Sequence, residues 1–283
     1  AIGAANALSS ATWSIMLAVG TALGGLVSGG LGIYPAFVID GLTFNVSALI
    51  LALMTYKHTP ALADAGHGIG QMLSQYVEGL RYLRQNRDVF NISLHKAVSA
   101  LIVSGGYQVI TVILGQRIYV IGEGGGVSLG ILFAVTGIGT GIGPILARRS
   151  TGDRDHPLRV ALGLSYIVAA VGVALTAPLL GFGLVLVGMF LRGAGGGVIW
   201  VFSTQLLLQL TPDRVRGRVF STEFAIFSLA NAIGAIIVGW ALDNTSIGLG
   251  AMMWWMAILS IIAGVLWLYH TAHSGPDTHS DPT

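Results

Sequence analysis

Residues 1–39 contain no charged side chain, and uncharged apolar stretches recur along most of the chain. A helix of about 20 mostly apolar residues is long enough to cross the hydrocarbon core of a bilayer. Apolar residues make up 54% of the chain and charged residues only 9%, whereas soluble domains carry about 25% charged residues. So few charges cannot cover a water-facing globule. The sequence therefore predicts an all-α, polytopic integral membrane protein whose solvent is largely lipid.

The apolar stretches resolve into eight predicted membrane spans. Residues 1–39 are too long for one span, and the cluster Gly29-Gly30-Leu31-Gly32 divides this region between two helices. Each remaining stretch has about the length that a single span needs. The eight spans are predicted at residues 7–28, 35–56, 97–114, 127–147, 160–177, 183–206, 219–242 and 249–269.

The basic residues indicate which side of the membrane each connection occupies. Twelve of the 14 Lys and Arg residues fall in residues 57–96, 148–159 and 211–218, which are alternate connections between predicted spans. Cytoplasmic loops of membrane proteins carry an excess of Lys and Arg. The pattern therefore predicts a multi-pass protein of the inner or plasma membrane. These three segments and both ends of the chain are expected to lie in the cytoplasm.

Two segments are predicted to lie outside the bilayer. Residues 57–96 form a cytoplasmic linker in which apolar residues from Ile69 to Leu83 recur at helical spacing. This amphipathic helix would lie along the membrane surface or bind a partner. Residues 271–283 are polar and predict a disordered cytoplasmic tail. Metal binding by His273 and His279 is disfavoured, because no fixed geometry holds these side chains.

Sequence patterns typical of enzymes are incomplete in this chain. Gly126-Val127-Ser128-Leu129-Gly130 has the nucleophile-elbow spacing, but Ser128 follows a glycine-rich loop, and the candidates Asp155 and His156 lie across the membrane. The chain has no cysteine for thiol or metal chemistry and no phosphate-binding loop. The basic residues are explained by membrane topology. The sequence therefore predicts no enzymatic activity, no cofactor, no metal site and no nucleic-acid partner.

The glycines of the fourth predicted span favour close helix contacts. Gly137 and Gly141 form one pair four residues apart, and Gly139 and Gly143 form a second. Small residues at this spacing allow the backbones of two membrane helices to approach closely. We therefore expect this helix to pack tightly against a neighbour or to bend.

Part of the first predicted span recurs 210 positions later in the seventh. Six spans separate the two, which is the interval expected for parallel six-helix repeats in membrane transporters. The matching pairs are Thr12 and Thr222, Ala22 and Ala232, Gly24 and Gly234, and Gly29 and Gly239.

Several segments also resemble exporters of the major facilitator superfamily. Residues 204–220, TQLLLQLTPDRVRGRVF, resemble the loop between helices ten and eleven, particularly in the branch that contains siderophore and macrolide exporters. The other segments resemble helices five and six or the central loop of the family, and they are residues 5–10, 20–25, 37–44 and 78–83. The resemblance covers residues 5–270 and implies that this chain carries the last eight helices of a twelve-helix parent.

The resemblance implies a division of the chain into four parts. Residues 1–56 would be the last two helices of the N-terminal half, and residues 57–96 the linker with its amphipathic helix. Residues 97–270 would be the six-helix C-terminal half, followed by the tail at residues 271–283. The expected partners are the missing N-terminal helices of the same protein, the lipid bilayer and a small-molecule substrate.

Charged side chains inside predicted spans point to functional sites, because each is costly in the bilayer unless it is paired or faces water. Arg192 lies near the middle of the sixth span, where it either faces a cavity or forms a buried structural pair. Glu223 begins the seventh span as a candidate titrating group, or as a structural partner of the nearby Arg216 or Arg218. Asp40 lies in the outer part of the second span and is expected to be structural.

Uncharged polar and aromatic side chains complete the predicted site. The further substrate or coupling candidates are Tyr107, Gln108, Trp200, Gln205 and Asn231. Polar packing between helices explains each of them as an alternative. Charges in the loops either anchor the protein by the positive-inside rule or latch helix ends in one conformation. The latch candidates are Arg148, Arg149, Asp153, Arg214, Arg216 and Arg218.

The function implied by the resemblance is secondary active transport by alternating access, most simply the efflux of a small amphipathic molecule. Arg192 would then bind an anionic group of the substrate or pair with an acid that couples transport to protons. The alternative is a truncated, non-transporting membrane module or scaffold that binds partners through the cytoplasmic loop.

Overall fold

The chain is a multi-pass helical membrane protein. The computed structural model describes Thr12, Met16, residues 19–20, 23–25 and 27–54, Val77 and residues 79–273, and all regular structure in these residues is helical. Within this part of the chain, seven helices are long and apolar enough to cross a membrane. These are α1 (Ile33–Leu53), α2 (Arg87–Ile118), α3 (Gly126–Thr151), α4 (Asp155–Thr176), α5 (Phe182–Leu210), α6 (Asp213–Asn244) and α7 (Leu249–His273).

The predicted fold class is confirmed, and predicted spans two to eight coincide with α1 to α7. Most of the first predicted span, residues 7–28, lies outside the described residues, although its described members and the adjoining residues 29–31 are helical. The predicted tail begins later than expected, because α7 continues to His273. Residues 274–283 lie outside the described part of the chain.

The third predicted span begins ten residues earlier than its sequence pattern indicated. The predicted boundary at residue 97 is wrong, since α2 starts at Arg87 and includes the charged residues Asp88 and Lys96. Both charges look like loop residues in the sequence, but each forms an ion pair with a neighbouring helix. Pairing of this kind allows a charged segment to remain helical inside the bundle.

Helix α2 is also irregular. Two five-residue segments, Ala100–Ser104 and Leu114–Ile118, are wound as π-helix, and the segment between them is α-helical. Insertions of π-helix are rare and often mark positions where a helix has a functional role. The first of them begins four residues after Lys96.

Glycines set the distances between the central helices. A β-carbon added at Gly139 of α3 would overlap the carbonyl oxygen of Phe190 in α5, and one at Gly143 would overlap the backbone of Ala194. Gly193 of α5 approaches the carbonyl of Thr136 in the same way. This close crossing confirms the tight packing predicted for the glycines of α3.

Glycines also allow close contacts between the other helices. Gly195 lets α5 approach Ser165 in α4 on the opposite side from α3, and Gly264 lets α7 approach Gly163 in α4. Gly105 of α2 contacts the backbone of α6. Helix α5 therefore lies between α3 and α4, and α2 packs beside α6.

The connections lie at two ends of the bundle. One end, called the basic end below, carries the start of α2, the α3–α4 connection at residues 152–154 and the α5–α6 connection at residues 211–212. The opposite end carries the α2–α3, α4–α5 and α6–α7 connections, and there the Tyr119 hydroxyl donates a hydrogen bond of 2.9 Å to the carbonyl of Leu179.

The described end of the predicted amphipathic linker packs on the basic end. Residues 79–85 are helical, and Leu83 is buried in a hydrophobic cluster to which α2, α4, α5, α6 and α7 contribute. The Tyr82 hydroxyl donates a hydrogen bond of 3.3 Å to the carbonyl of Leu210, and burial raises the pKa of this phenol. Gly79 lies against the side chain of Arg218 in α6. Surface binding and partner binding remain predictions for residues 57–76, which lie outside the described part.

Helix α1 stands apart from the core. None of its residues is buried, and Asp40 is exposed on it. The preceding helical segment does contact the bundle, because β-carbons added at Gly25 and Gly29 would overlap Gly130 and Val127 at the start of α3. This contact lies at the opposite end from the basic end.

Candidate functional site

Arg192 lies inside the bundle at the level where α2, α3 and α5 meet. Its guanidinium carbon is 4.6 Å from the centre of the Tyr107 ring, and Nη2 lies 3.4 Å from the hydroxyl of Thr136. The Nε atom is buried and has no hydrogen-bond partner. Among the described residues, no carboxylate lies within ion-pair distance of this arginine. A guanidinium with five donors is therefore held by one hydroxyl and one aromatic face.

Tyr107 connects this arginine to a second polar layer. The side chain of Tyr107 is buried, and its hydroxyl shares a hydrogen bond of 2.7 Å with Thr176 of α4. Thr176 also lies 2.7 Å from the carbonyl of Val173 and 3.3 Å from the sulfur of Met253 in α7. The ring of Tyr107 is thus fixed in place, with one face directed at Arg192.

A second buried cation lies closer to the basic end. The Nζ atom of Lys96 is 3.0 Å from Oε1 of Glu223 and donates a hydrogen bond of 2.7 Å to the Thr204 hydroxyl. The same ammonium lies 4.4 Å from the centre of the Trp200 ring. Lys96 and Glu223 are only 6% and 2% exposed, so the pair is removed from water on all sides.

The partner of Glu223 differs from the one that its sequence neighbourhood indicated. If Glu223 is structural, the sequence predicts Arg216 or Arg218 as its partner, because both are near in sequence. The cation that pairs with Glu223 is instead Lys96 on α2. Arg216 turns back on its own connection, where it pairs with Asp213 at 2.5 Å and donates to the carbonyl of Thr211. Arg218, five positions before Glu223, lies on a different face of α6. Arg216, seven positions before, lies on the same face but about two turns away, and its side chain contacts Asp213 and the carbonyl of Thr211.

The other predicted site residues are dispersed. Trp200 borders the Lys96 site, and its ring meets that of Phe227 edge to face at 5.1 Å. Gln108 is exposed on α2, and Asn231 contributes its backbone carbonyl to the close approach between α6 and Gly105. Only Tyr107 among the uncharged candidates contacts Arg192.

Gln205 belongs to the basic end. Its amide donates a hydrogen bond of 2.7 Å to Oδ1 of Asp153, which also pairs with Arg148 at 2.7 Å. Gln209 donates a hydrogen bond of 3.1 Å to the Asp153 backbone carbonyl. The structure therefore brings together two of the predicted latch residues and adds two glutamines from α5. Arg149 and Arg214 are exposed at the same end.

Several residues of these clusters carried no distinct signal in the sequence. Lys96 looks like a loop residue, and Thr136 and Thr204 look like ordinary polar residues of membrane helices. One pattern marks Lys96, since it lies at helical spacing from Ala100, Val103 and Tyr107, which are all buried. Extending the helical pattern of α2 towards its N-terminus, past the charged residues, would have placed Lys96 on the face that packs inside the bundle.

A second missed cluster ties α2 to α4 and α7. His95 is buried against Tyr166 and Trp267, and the Tyr166 hydroxyl donates a hydrogen bond of 2.7 Å to the His95 carbonyl. Arg159 forms a bidentate pair with Asp88, at 2.5 and 2.6 Å, at the mouth of this cluster. These short contacts hold α2, α4 and α7 together at the basic end.

Ser128 has a structural role at the start of α3. Its hydroxyl donates to the carbonyl of Tyr119 and accepts a hydrogen bond of 2.9 Å from the backbone N–H of Ile121. The side chain therefore ties down the glycine-rich connection that precedes the helix.

Comparison with known proteins gives a consistent result. The family model described as Major Facilitator Superfamily matches residues 1–221 and, in a second overlapping match, residues 125–282. The "Uncharacterized MFS-type transporter y4rN" of Sinorhizobium fredii is 26% identical over 267 residues, which cover 94% of this chain and 62% of that protein.

Two Bacillus proteins are more distant relatives. The "Putative bacilysin exporter BacE" of Bacillus subtilis is 23% identical over 236 residues, which cover 82% of this chain and 56% of that protein. Its namesake in Bacillus amyloliquefaciens is 22% identical over the same length. The chain thus spans about three fifths of the length of the curated relatives it matches.

Proposed function

Because this chain belongs to the major facilitator superfamily, we propose that the protein is a secondary active transporter that exports a small amphipathic molecule by alternating access. In such transporters the substrate binds near the middle of the membrane, between units that rock around it. The proposal places the protein in the inner or plasma membrane, with the basic end in the cytoplasm. The direction of transport is supported by the relatives named as bacilysin exporters.

The observation that carries the proposal is the environment of the buried Arg192 guanidinium. An arginine at this depth costs about 2.5–3.5 kcal/mol on insertion scales, so its charge requires compensation. Within the described residues, that compensation is one Thr136 hydroxyl and the face of Tyr107. The unused donors are available to an anionic or hydrogen-bond-accepting group of a substrate. A structural role would require a buried carboxylate partner, as Lys96 has in Glu223.

Each contact residue has a defined part in this scheme. Arg192 would bind the acceptor group of the substrate, and the Tyr107 ring would keep the guanidinium plane in a fixed orientation. Tyr107 is itself held by Thr176, so that α2, α4 and α5 meet at the bound group. A change in the distance between α2 and α5 would therefore change the binding site.

The test is export from cells that produce the full-length protein, followed with three fluorescent probes of different charge. These are dansylcadaverine, its neutral N-acetyl derivative and the anion carboxyfluorescein. We expect Arg192→Ala to reduce the export of the probes that the wild type transports by about tenfold or more. This is the loss typical of one hydrogen bond to a charged group. Arg192→Lys should restore export only in part, because an ammonium cannot reproduce a planar, bidentate contact.

The matched control is Arg117→Ala, which removes an exposed arginine at the opposite end of the bundle. It should leave export unchanged. Both variants should also reach wild-type levels in the membrane and elute as a single species, since removing Arg192 leaves no buried carboxylate without a partner. Normal export by a well-folded Arg192→Ala variant, or no export of any probe by the wild type, would contradict the proposal.

A further inference from the structure

The Lys96 ammonium is surrounded by groups from three chemical classes. Glu223 supplies a carboxylate at 3.0 Å, Thr204 a hydroxyl at 2.7 Å and Trp200 an aromatic face at 4.4 Å. The lysine comes from α2, whereas the three surrounding groups come from α5 and α6. The surrounding groups therefore form a site of their own, and a side chain from another helix fills it.

A carboxylate, a hydroxyl and an aromatic face together recognise an organic ammonium group. The carboxylate neutralises the charge through a short, charge-assisted contact, and the ring attracts the cation through its quadrupole. Nothing in this set is specific for lysine, because the only group recognised is the terminal ammonium. Any primary ammonium of similar size that reached the site would find the same three partners.

We propose that Glu223, Thr204 and Trp200 form the binding site for an ammonium group of the transported substrate, and that Lys96 occupies this site when the substrate is absent. The substrate is accordingly an amphipathic amine, which displaces the lysine when it binds. This inference rests on the proposed function, because it names the class of molecule that the transporter carries.

The aromatic residues next to the site indicate what the rest of the substrate resembles. The Trp200 ring meets Phe227 at a centroid distance of 5.1 Å, and Phe227 meets Phe224 at 5.9 Å. Trp200 is 37% exposed and Phe224 is 59% exposed. A continuous aromatic surface thus leads away from the buried ammonium, and it suits an apolar or aromatic body attached to the amine.

The energetics allow the exchange. The exchange keeps Glu223 paired with a cation, and the displaced Lys96 ammonium, which would be costly to leave buried alone, has to reach water as α2 moves. The π-helical segment Ala100–Ser104, one turn beyond Lys96, provides a position where α2 can change its winding.

The Arg159 pair at the basic end shows how a purely structural ion pair differs. Arg159 donates two hydrogen bonds to Asp88 and another of 2.6 Å to Asp155, so that all three nitrogens of the guanidinium are engaged. Among the described residues, no aromatic ring lies over this guanidinium as Trp200 lies over Lys96. Arg159 is therefore the internal comparison for the experiment on Lys96.

The first experiment is chemical rescue of Lys96→Ala in the purified full-length protein, read as the melting temperature. Removing the lysine side chain leaves Glu223 unpaired and a cavity beside it, and n-butylammonium should fill both. We expect butylammonium to raise the melting temperature of this variant progressively with concentration, as for any ligand that binds only the folded state. Neutral n-butanol should have no such effect.

The controls separate a specific site from general salt effects. Butylammonium should leave Lys96→Ala/Glu223→Gln unchanged, because the carboxylate is absent. It should shift the wild type and Arg159→Ala less than Lys96→Ala, because in both proteins the tethered Lys96 competes for the site. Equal shifts in all four proteins, or no shift in a folded Lys96→Ala variant, would overturn the inference.

The second experiment applies even if Lys96→Ala does not fold. Lys96→Met/Glu223→Gln removes both charges and leaves neither partner unpaired. We expect this variant to lose about tenfold or more of dansylcadaverine export, equivalent to about 1.4 kcal/mol of binding, and to keep export of the N-acetyl probe. Wild-type export of both probes would show that the pair is only structural. Rescue by butylammonium without export of any probe would instead refute transport and leave the ammonium site standing.

Discussion

At the scale of single residues, the two cations inside the bundle are held in different ways. Lys96 has a buried carboxylate, a hydroxyl and a ring around it. Arg192 has a hydroxyl and a ring, and no carboxylate among the described residues. Removing the first cation therefore leaves a buried anion unpaired, and removing the second does not. This difference leads to opposite expectations for stability.

Lys96→Met should lower the free energy of unfolding by about 3–5 kcal/mol, the usual cost of breaking a buried ion pair. Lys96→Met/Glu223→Gln should be less destabilised than this single variant, because no charge is left without a partner. Arg192→Met should be milder than Lys96→Met. The measurement is denaturation of the purified proteins in detergent, arranged as a double-mutant cycle. Additive losses from the two single substitutions would show that Lys96 and Glu223 do not interact.

At the scale of the helices, α5 is the element that organises the bundle. It meets α3 through Gly193 and α4 through Gly195, and it also carries Arg192, Trp200 and Thr204. Membrane helices gain little from burying apolar surface against each other, because lipid is equally apolar. Close backbone contact through glycine is therefore a main source of packing energy here. The positions of the site residues depend on these crossings.

Two neighbouring glycines of α5 provide a matched test. A β-carbon at Gly195 would overlap the Ser165 carbonyl and Ala169 of α4, whereas one at Gly196 meets no atom within 4 Å. Gly195→Ala should destabilise the protein by about 1–3 kcal/mol through overpacking. Gly196→Ala should be neutral or stabilise it by up to about 1 kcal/mol, because alanine favours helix. Equal melting temperatures for the two variants would mean that α4 and α5 do not cross at Gly195.

At the scale of the whole molecule, the proposed orientation places the basic end in the cytoplasm. The chain contains no cysteine, so a substitution introduces the only thiol of this chain. Ser150 is exposed at the basic end, and Ser246 is exposed at the opposite end. Serine to cysteine changes one atom at each position, and the two variants serve as controls for each other.

We expect Ser246→Cys to react with a membrane-impermeant maleimide in intact cells. Ser150→Cys should react only after the membrane is permeabilised, because the basic end faces the cytoplasm. The measurement is the fraction of labelled protein before and after permeabilisation. The reverse labelling pattern would invert the proposed topology, and labelling of both in intact cells would contradict the number of crossings between them.

The sequence by itself determined the solvent, the class of fold and the approximate positions of α1 to α7. These properties follow from local composition, because a segment in lipid must satisfy its own backbone hydrogen bonds, and a long apolar helix does so within itself. The glycines of α3 likewise predicted a close crossing, since spacing along one helix fixes which residues share a face. Arg192 was recognisable as a candidate because a charge inside an apolar span is costly wherever the helix packs.

Only the tertiary structure decided which side chains meet. Lys96 and Glu223 lie 127 positions apart, and their pairing depends on how α2 and α6 are rotated about their axes. The same holds for Gln205, which contacts the Asp153 loop instead of the centre of the bundle. Helix rotation and crossing angle are set by packing among many residues at once, and no local pattern in the sequence encodes them. Composition could therefore fix the spans, whereas the partners of each charge required the assembled bundle.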